Sequence, residues 1–249
     1  TGSDLVIAYN YAPGFLGGGS RQRHFKLAGL EELSQEAAKL GIRFELLIDE
    51  TGEETPELVA GFAKEIGAGA VVTDFSPLRI QRTWKKETAS LLPVPLIEVD
   101  AHNVVPAHIA SSKLEFAAHT LRPKLHRLLP TYLEEYPSLG KRAPREAPTI
   151  DFEKLRKEAG APPPGASVSG EAAAHDALAR FVEDILPRYA SDRNDALADG
   201  QSGLSPYLHY GMLSAERVAL AVTEAADAPI QSLLHASKNK ANVDDGLPL

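Results

Sequence analysis

The chain has 249 residues, 43% of them hydrophobic and 24% charged, which is enough to bury one large core or two small ones. It contains no cysteine, which excludes disulfides and thiolate metal sites and fits the cytoplasm. Its formal net charge of −8 argues against broad non-specific binding to nucleic acid. The sequence shows no apolar run of membrane-spanning length and no secretory signal pattern.

The first hundred residues alternate short apolar runs with helical patterns. Strands are predicted over residues 5–9, 44–48, 70–73 and 95–99. Helices are predicted over residues 22–40, from Thr55 to about Gly67, and after Pro77. Strands separated by helices of this length indicate a parallel sheet covered on both faces. The fold class predicted for this region is therefore α/β, with an open, doubly wound, Rossmann-like parallel sheet.

Two carboxylates, Asp74 and Asp100, fall at the carboxyl ends of predicted strands, where ligands of doubly wound sheets bind. The favoured interpretation is structural: they cap the next helix or accept hydrogen bonds from loop amides. His102 and Asn103 follow the second of these ends, a better position for function than that of an isolated histidine within a helix. No Gly-x-Gly-x-x-Gly motif follows the first strand, which argues against a dinucleotide-dependent dehydrogenase.

Beyond residue 100 the composition changes twice. Residues 111–133 predict one long helix that Pro123 kinks or restarts. The proline-rich stretch from 136 to 170 indicates a linker between domains. Helical patterns follow over residues 173–186 and 215–226, without strands, so a second, all-α domain is predicted. The last residues, 238–249, are polar and predict turns.

A serine-rich segment, Ser202-Gly203-Leu204-Ser205-Pro206, opens a predicted helix. Hydroxyls and unpaired N–H groups at a helix start can hold phosphate oxygens, although an ordinary capped helix has the same pattern. Arg193 upstream could neutralise a phosphate or form a surface ion pair with Asp195.

Other kinds of site find less support. His102 and His108 lack a matching carboxylate cluster, so no metal site is predicted. A Gly-x-Ser-x-Gly elbow is absent, so no hydrolase triad is predicted, and no catalytic residue is identified. Trp84, the single tryptophan, is interpreted as a packing residue.

Several blocks of the chain resemble one known family. Tyr189, Arg193-Asn194-Asp195 and the run 202–211 resemble the flavin-binding signature of DNA photolyases, in the variant of class II cyclobutane pyrimidine dimer photolyases. Further blocks resemble the same class in the same order: residues 72–79 followed by Trp84, 98–106, and 112–124. The resemblance extends from about residue 5 to about residue 220.

This resemblance implies a domain organisation and a cofactor. It implies an α/β antenna domain over residues 1–135 that lacks its first strand, an interdomain linker over 136–169, and the first helices of a flavin-binding domain over 170–249. The family contacts flavin adenine dinucleotide (FAD), largely at its phosphate end, through residues that match Tyr189 and the serine segment. The implied FAD-binding residues are Tyr189, Arg193, Ser202, Gly203, Leu204, Ser205 and Pro206. An antenna chromophore is implied without its identity: a deazaflavin, a folate, a second flavin or none.

The implied function is light-driven repair of cyclobutane pyrimidine dimers in DNA by a deoxyribodipyrimidine photolyase that uses reduced FAD. The implied protein is a cytoplasmic monomer that binds damaged DNA and no membrane. The family's earlier strand with an Arg-Asp-containing loop has no match here, and neither has its later Glu-Glu-Leu…Arg-Arg-Glu-Leu helix. The chain is therefore expected to be truncated at both ends and unable to repair DNA alone. Two alternatives stay open: a cryptochrome-like flavin photoreceptor without repair activity, and a nucleotide-binding α/β module with a helical tail.

Overall fold

A computed structural model describes residues 4–140, 142–162, 164–165 and 167–226. The chain divides into two compact units, one formed by residues 1–99 with 139–170 and the other by 100–138 with 171–249. The turns predicted for residues 238–249 lie outside the described residues. In the part of the chain that the structure describes, no helix is long and apolar enough to cross a membrane.

The strands of the first unit are parallel, as the sequence predicts. They are β1 (Val6–Tyr11), β2 (Arg43–Ile48), β3 (Val71–Asp74) and β4 (Leu96–Val99). β1 pairs with β2, with Val6 opposite Arg43, and β3 pairs with β4, with Val71 opposite Leu96. The predicted strands agree with these bounds to within two residues. The α/β class of this region is therefore confirmed.

The helices are numbered through both units in chain order. They are α1 (Ser20–Lys39), α2 (Thr55–Glu65), α3 (Arg79–Leu91), α4 (Ala107–Ala110), α5 (Ala118–Tyr132), α6 (Phe152–Glu158), α7 (Glu171–Arg180), α8 (Tyr189–Asp192), α9 (Ser205–Tyr210) and α10 (Ala215–Ala225). A π-helical turn at Phe181–Ile185 and a 3-10 turn at Leu186–Arg188 join α7 to α8.

The main core of the first unit lies between the β1–β2 pair, α1 and α6. Its buried side chains are Tyr11, Leu27, Leu30, Ala37, Ile42, Phe44, Phe152, Leu155 and Ala159. Asp151 caps α6 by accepting a hydrogen bond from the Lys154 amide at 2.8 Å. Residues 152–159, in the stretch predicted to be an interdomain linker, therefore contribute to the core of the α/β unit. The domain limits 1–135, 136–169 and 170–249 stay a prediction.

Asp49 follows β2 and organises the loop to α2. Its carboxylate accepts hydrogen bonds from the Gly52 amide (2.7 Å), the Glu54 amide (3.1 Å) and the Thr55 hydroxyl (2.7 Å). Only 1% of Asp49 is exposed. Burial alone would raise the pKa of this carboxyl, but the hydrogen bonds outweigh it and hold the pKa below its usual value.

Equivalent glycine turns precede β2 and β3. Gly41 and Gly67 have φ of +70° and +63°, a conformation that glycine adopts without steric cost. Each closes the preceding helix in the same way, with the following amide bonded back five residues: Ile42 N to Ala37 O at 2.8 Å and Ala68 N to Ala63 O at 2.9 Å. The surroundings differ, because a Cβ on Gly41 would collide with the Ala143 carbonyl oxygen, whereas one on Gly67 would meet open space.

In the second unit, the long helix predicted over 111–133 is wrong at its start: the helix α5 begins at Ala118. Ser111 and Ala117 are extended, with φ of −154° and −156°. The intervening segment is held by side chains instead, because the Ser111 hydroxyl donates to Glu115 at 2.7 Å and Lys124 Nζ donates to both. Hydrogen bonds from Lys124, Thr120 and Ser111 lower the pKa of Glu115 to about 2. A local network thus replaces the first helical turns.

Two side-chain contacts join the segment after α5 to the start of α10. Arg217 binds Glu135 through both guanidinium nitrogens, at 3.0 Å each. Tyr136 is hydrogen-bonded to the buried Glu216, and this bond, with burial, raises the pKa of Tyr136 to about 12. Ser214 caps α10 by accepting from the Arg217 amide at 3.0 Å. Residues more than 75 positions apart in sequence therefore share one polar cluster.

Candidate functional site

The loop before α9 lies directly on α8. Gly200 is buried, and a Cβ there would come within 2.6 Å of the Asp192 backbone, so only glycine allows this approach. Gln201 Nε2 donates to the Arg193 carbonyl oxygen at 2.5 Å. These contacts bring together the two halves of the predicted site: Tyr189 with Arg193, and the segment from Ser202 to Pro206.

Within this loop, buried and exposed residues alternate. Leu204 is 2% exposed and anchors the segment, while Ser205 is exposed and begins α9, with Pro206 in its first turn. Ser202 Oγ accepts from the Leu204 amide at 3.4 Å, and Gly203 has φ +69° between them. The predicted helix start at the serine segment is therefore present.

Tyr189 and Arg193 form the other half of the site. The Tyr189 ring packs edge-on against Phe181, with centroids 5.4 Å apart, and the Arg193 guanidinium lies 5.8 Å from the Tyr189 centroid. The ion pair with Asp195 that the sequence leaves open is not formed, because Asp195 Oδ1 instead accepts from the Leu197 amide at 2.9 Å. Among the described residues Arg193 has no carboxylate partner.

Sequence reasoning missed Arg180, the last residue of α7. A Cβ on Gly203 would lie 3.4 Å from Arg180 Nη2, so this guanidinium sits against the serine loop. In the described part of the chain it too forms no ion pair. The only sequence signal was a basic residue in the last turn of a helix, which is common for reasons unrelated to ligands.

The chemistry of this constellation is that of an oxyanion binder. The hydroxyls of Ser202 and Ser205 and the two guanidinium groups can donate charge-assisted hydrogen bonds to phosphate. The neighbouring Asp192 is engaged elsewhere: it accepts from Ser191 at 2.7 Å and pairs with Arg188 at 3.0 Å, and these contacts lower its pKa. Over the described ranges no group of three or more His, Asp or Glu side chains could hold a metal ion.

The two carboxylates at strand ends, Asp100 and Asp74, differ in their contacts. Asp100 accepts from the Asn103 side chain at 3.0 Å and from the Ala107 amide at 2.8 Å. Burial would raise the pKa of Asp100, but these hydrogen bonds lower it overall. Its contacts therefore match the loop-amide interpretation, whereas the exposed Asp74 forms no ion pair with any described residue.

Trp84 lies on α3 and packs on Phe15, with ring centroids 5.3 Å apart and planes inclined by 40°. The packing role predicted for the single tryptophan is in keeping with this contact. Trp84 is half-buried, and it connects α3 to the loop that follows β1.

Comparison with known proteins places these features in a family. The family model described as DNA photolyase matches residues 1–145. The deoxyribodipyrimidine photo-lyase of Potorous tridactylus is 37% identical over 88% of this chain and 42% of its own length. That of Arabidopsis thaliana is 39% identical over 88% of this chain and 47% of its own length.

A solved structure supports the same fold. The crystal structure of a class III photolyase from Agrobacterium tumefaciens superposes with a TM-score of 0.62 at 20% identity, covering 94% of this chain and 51% of that one. The chain spans about half the length of the photolyases that it matches. The family match and the curated relatives together show that the chain belongs to the DNA photolyase family.

Proposed function

We propose that this chain belongs to a deoxyribodipyrimidine photolyase, which uses light to split cyclobutane pyrimidine dimers in DNA. The observation that carries the proposal is the similarity to curated photo-lyases, at 37% and 39% identity across 88% of the chain. The paired hydroxyls and guanidinium groups near α9 support it, because they suit the phosphates of a dinucleotide cofactor. We further propose an intracellular monomer whose partner is damaged DNA.

Class II is the subgroup that we propose. The supporting residues are the block Asp74–Arg79 and the block Asp100–Asn103, on which the resemblance to class II depends.

The proposed cofactor is FAD, held at its phosphate end. When bound and reduced, it supplies the light-driven electron donation of the reaction. Ser202 and Ser205 would donate hydrogen bonds to phosphate oxygens, and Arg193 would balance their charge. Gly203, which has no side chain, leaves room for the Arg180 guanidinium beside the backbone. Leu204 and Pro206 would fix the position of the loop, and the Tyr189 ring would support the Arg193 guanidinium. For the antenna site of the α/β unit the proposal keeps the alternatives of a deazaflavin, a folate, a second flavin or no chromophore.

The decisive experiment is light-dependent reversal of thymine dimers by the complete gene product carrying reduced flavin. Repair under blue light, with none in the dark, is expected. Flavin binding without repair would favour the photoreceptor alternative. The absence of both repair and flavin binding would overturn the proposal.

The site itself is tested with Ser202→Ala/Ser205→Ala and, separately, Arg193→Gln. Each lost hydrogen bond to a charged group is worth about 1.5–3 kcal/mol, so FAD affinity should fall at least about tenfold. The matched control is Ser90→Ala, an exposed helical serine of the first unit that bonds only the Glu87 carbonyl. Unchanged FAD affinity in the site variants, read from flavin absorption, would refute the assignment of these residues.

A further inference from the structure

The helix α3 carries a concentrated positive charge on an otherwise acidic chain. It contains Arg79, Arg82, Lys85 and Lys86 but a single carboxylate, Glu87, against a net charge of −8 for the whole chain. An open groove of about 630 Å³ lies between α3 and β4, and all four cations line it together with Glu98. The functional site near α9 uses none of these residues.

Three of the four cations form one line. At 3.6 residues per turn, Arg79, Arg82 and Lys86 fall within about 60° around the helix axis, and at 1.5 Å per residue they span about 10 Å along it. We call these three residues the α3 basic stripe. Ala89, one turn further along the groove, is too small to interrupt the surface.

The stripe has no internal counter-charge. Lys85 is already engaged, because it pairs with Glu98 of β4 and lies 6.0 Å from the Phe75 ring centroid. By contrast, Arg79, Arg82 and Lys86 are exposed, and no described carboxylate lies within ion-pair distance of them. Their charge therefore faces solvent uncompensated.

The start of α3 adds a second positive contribution. Its first turn contains no acidic residue, and no side chain caps it. The N-terminus of a helix carries a partial positive charge, so cationic side chains placed there are electrostatically unfavourable. An anion bound from solution would relieve this repulsion. The positive end of the dipole of this thirteen-residue helix and the guanidinium groups of Arg79 and Arg82 therefore lie at the same end of the helix.

We propose that the α3 basic stripe binds the phosphate backbone of duplex DNA. A row of cations about 10 Å long covers about three steps between consecutive phosphates of one strand, which advance by about 3.4 Å each along the duplex axis, whereas a single phosphate would need only one of the cations. The inference rests on the proposed function for the choice of DNA as the polyanion. It adds a positioning contact on the α/β unit that reads no sequence.

The test is the salt dependence of DNA binding by the chain of residues 1–249. A fluorescent 20-base-pair undamaged duplex is titrated by anisotropy between 50 and 200 mM KCl with wild type and with Arg79→Gln/Arg82→Gln/Lys86→Gln. Each phosphate contact contributes about 0.9 to the slope of log K against log salt. The variant slope should be shallower by about 2.7, so that wild type loses about 40-fold more affinity than the variant over this range.

A matched control removes the same charge elsewhere in the first unit. Arg21→Gln/Lys64→Gln/Lys157→Gln alters three exposed cations on α1, α2 and α6. This control should keep the wild-type slope. The inference would be overturned if wild type and the stripe variant had equal slopes, or if the control variant lost as much slope as the stripe variant. It would also be overturned if the wild-type chain did not bind DNA.

Two further measurements make the result independent of the folding of the triple variant. The single variant Arg82→Gln should lower the slope by about 0.9. In the wild-type chain, bound DNA should protect Lys86 from acetylation and leave Lys64 accessible, as read by mass spectrometry; equal modification of both would contradict the proposal. Flavin absorption and repair are recorded separately on the complete gene product, so a failed stripe with intact flavin binding is distinguishable from a failure of the proposed function.

Discussion

The two strand pairs of the first unit have the same parallel ladders but different burial. The β1–β2 pair contributes Tyr11 and Phe44 to a core in which Leu27 is fully buried. On the β3–β4 pair, Val72 is 62% exposed and Ile97 is 47% exposed. The difference lies in the cover, because α1 and the distant helix α6 pack over the first pair. Ladder hydrogen bonds alone therefore do not decide where the stability of this unit resides.

The largest expected effect comes from emptying the covered core. Leu27→Ala should lower the free energy of unfolding by about 3–5 kcal/mol, because it leaves a cavity among close-packed neighbours. Ile97→Ala, the matched change on the exposed pair, should cost less than about 1 kcal/mol. Urea denaturation monitored by circular dichroism gives both values. Similar losses in the two variants would remove the basis of the comparison.

The two glycine turns provide the next contrast. Gly67→Ala should cost about 1–2 kcal/mol, the strain of a left-handed backbone with a Cβ. Gly41→Ala should cost about 3 kcal/mol, since the new methyl group also displaces the segment at Ala143. Denaturant midpoints of the two variants measure the difference. Equal midpoints would show that residues 142–143 do not press on the turn.

Asp49, which follows β2, and Asp74, at the end of β3, should also contribute differently to stability, and the larger contribution again belongs to the covered strand pair. Asp49→Asn should destabilise the protein by about 2 kcal/mol at pH 7, because an amide cannot accept all the hydrogen bonds that converge on this side chain. The matched Asp74→Asn, at the exposed end of β3, should change stability by less than about 0.5 kcal/mol.

The Asp49 effect should also depend on pH. The folded-state pKa of Asp49 lies below that of the unfolded chain, about 4, so its ionised form stabilises the fold above that pH. This contribution is lost as the pH falls through the lowered pKa. The difference between wild type and Asp49→Asn should therefore shrink below about pH 4; urea midpoints from pH 7 to pH 3 that stay equally far apart would contradict this.

The smallest effect concerns the helix that covers the first pair. Asp151→Ala removes the α6 cap and should cost about 1 kcal/mol, whereas Asp151→Asn keeps an acceptor and should cost only a few tenths. Amide hydrogen exchange in α6 is the measurement, and faster exchange is expected only for the alanine variant. Unchanged exchange in Asp151→Ala would show that the cap does not hold α6.

The sequence predicts those features that local patterns determine. Strand runs, the helix ends near Leu40 and Gly67, and the serine helix start near Ser205 all carry their signal within a few residues. The start of α5 was missed because Ser111, Glu115 and Lys124 form a network across thirteen residues that competes with helix formation.

Two other features depend on packing between distant residues. Phe152 and Leu155 lie in a proline-rich stretch whose composition indicates a linker, yet they are buried against α1. Arg180 reaches Gly203 only because of the turns that follow α7. Neither contact leaves a periodic trace in the sequence, so neither could be predicted from it.

The alternation of the two units along the chain has a consequence for synthesis. Residues 100–138 are made before residues 139–170 complete the first unit, and they wait for residues 171–226 before their own partners, Glu216 and Arg217, emerge. The ribosome therefore completes the synthesis of the first unit while residues 100–138 of the second unit still lack the residues that they pack against. Any single cleavage between residues 100 and 170 would divide both units, so an uninterrupted fragment that contains one whole unit, 1–170 or 100–249, also carries part of the other.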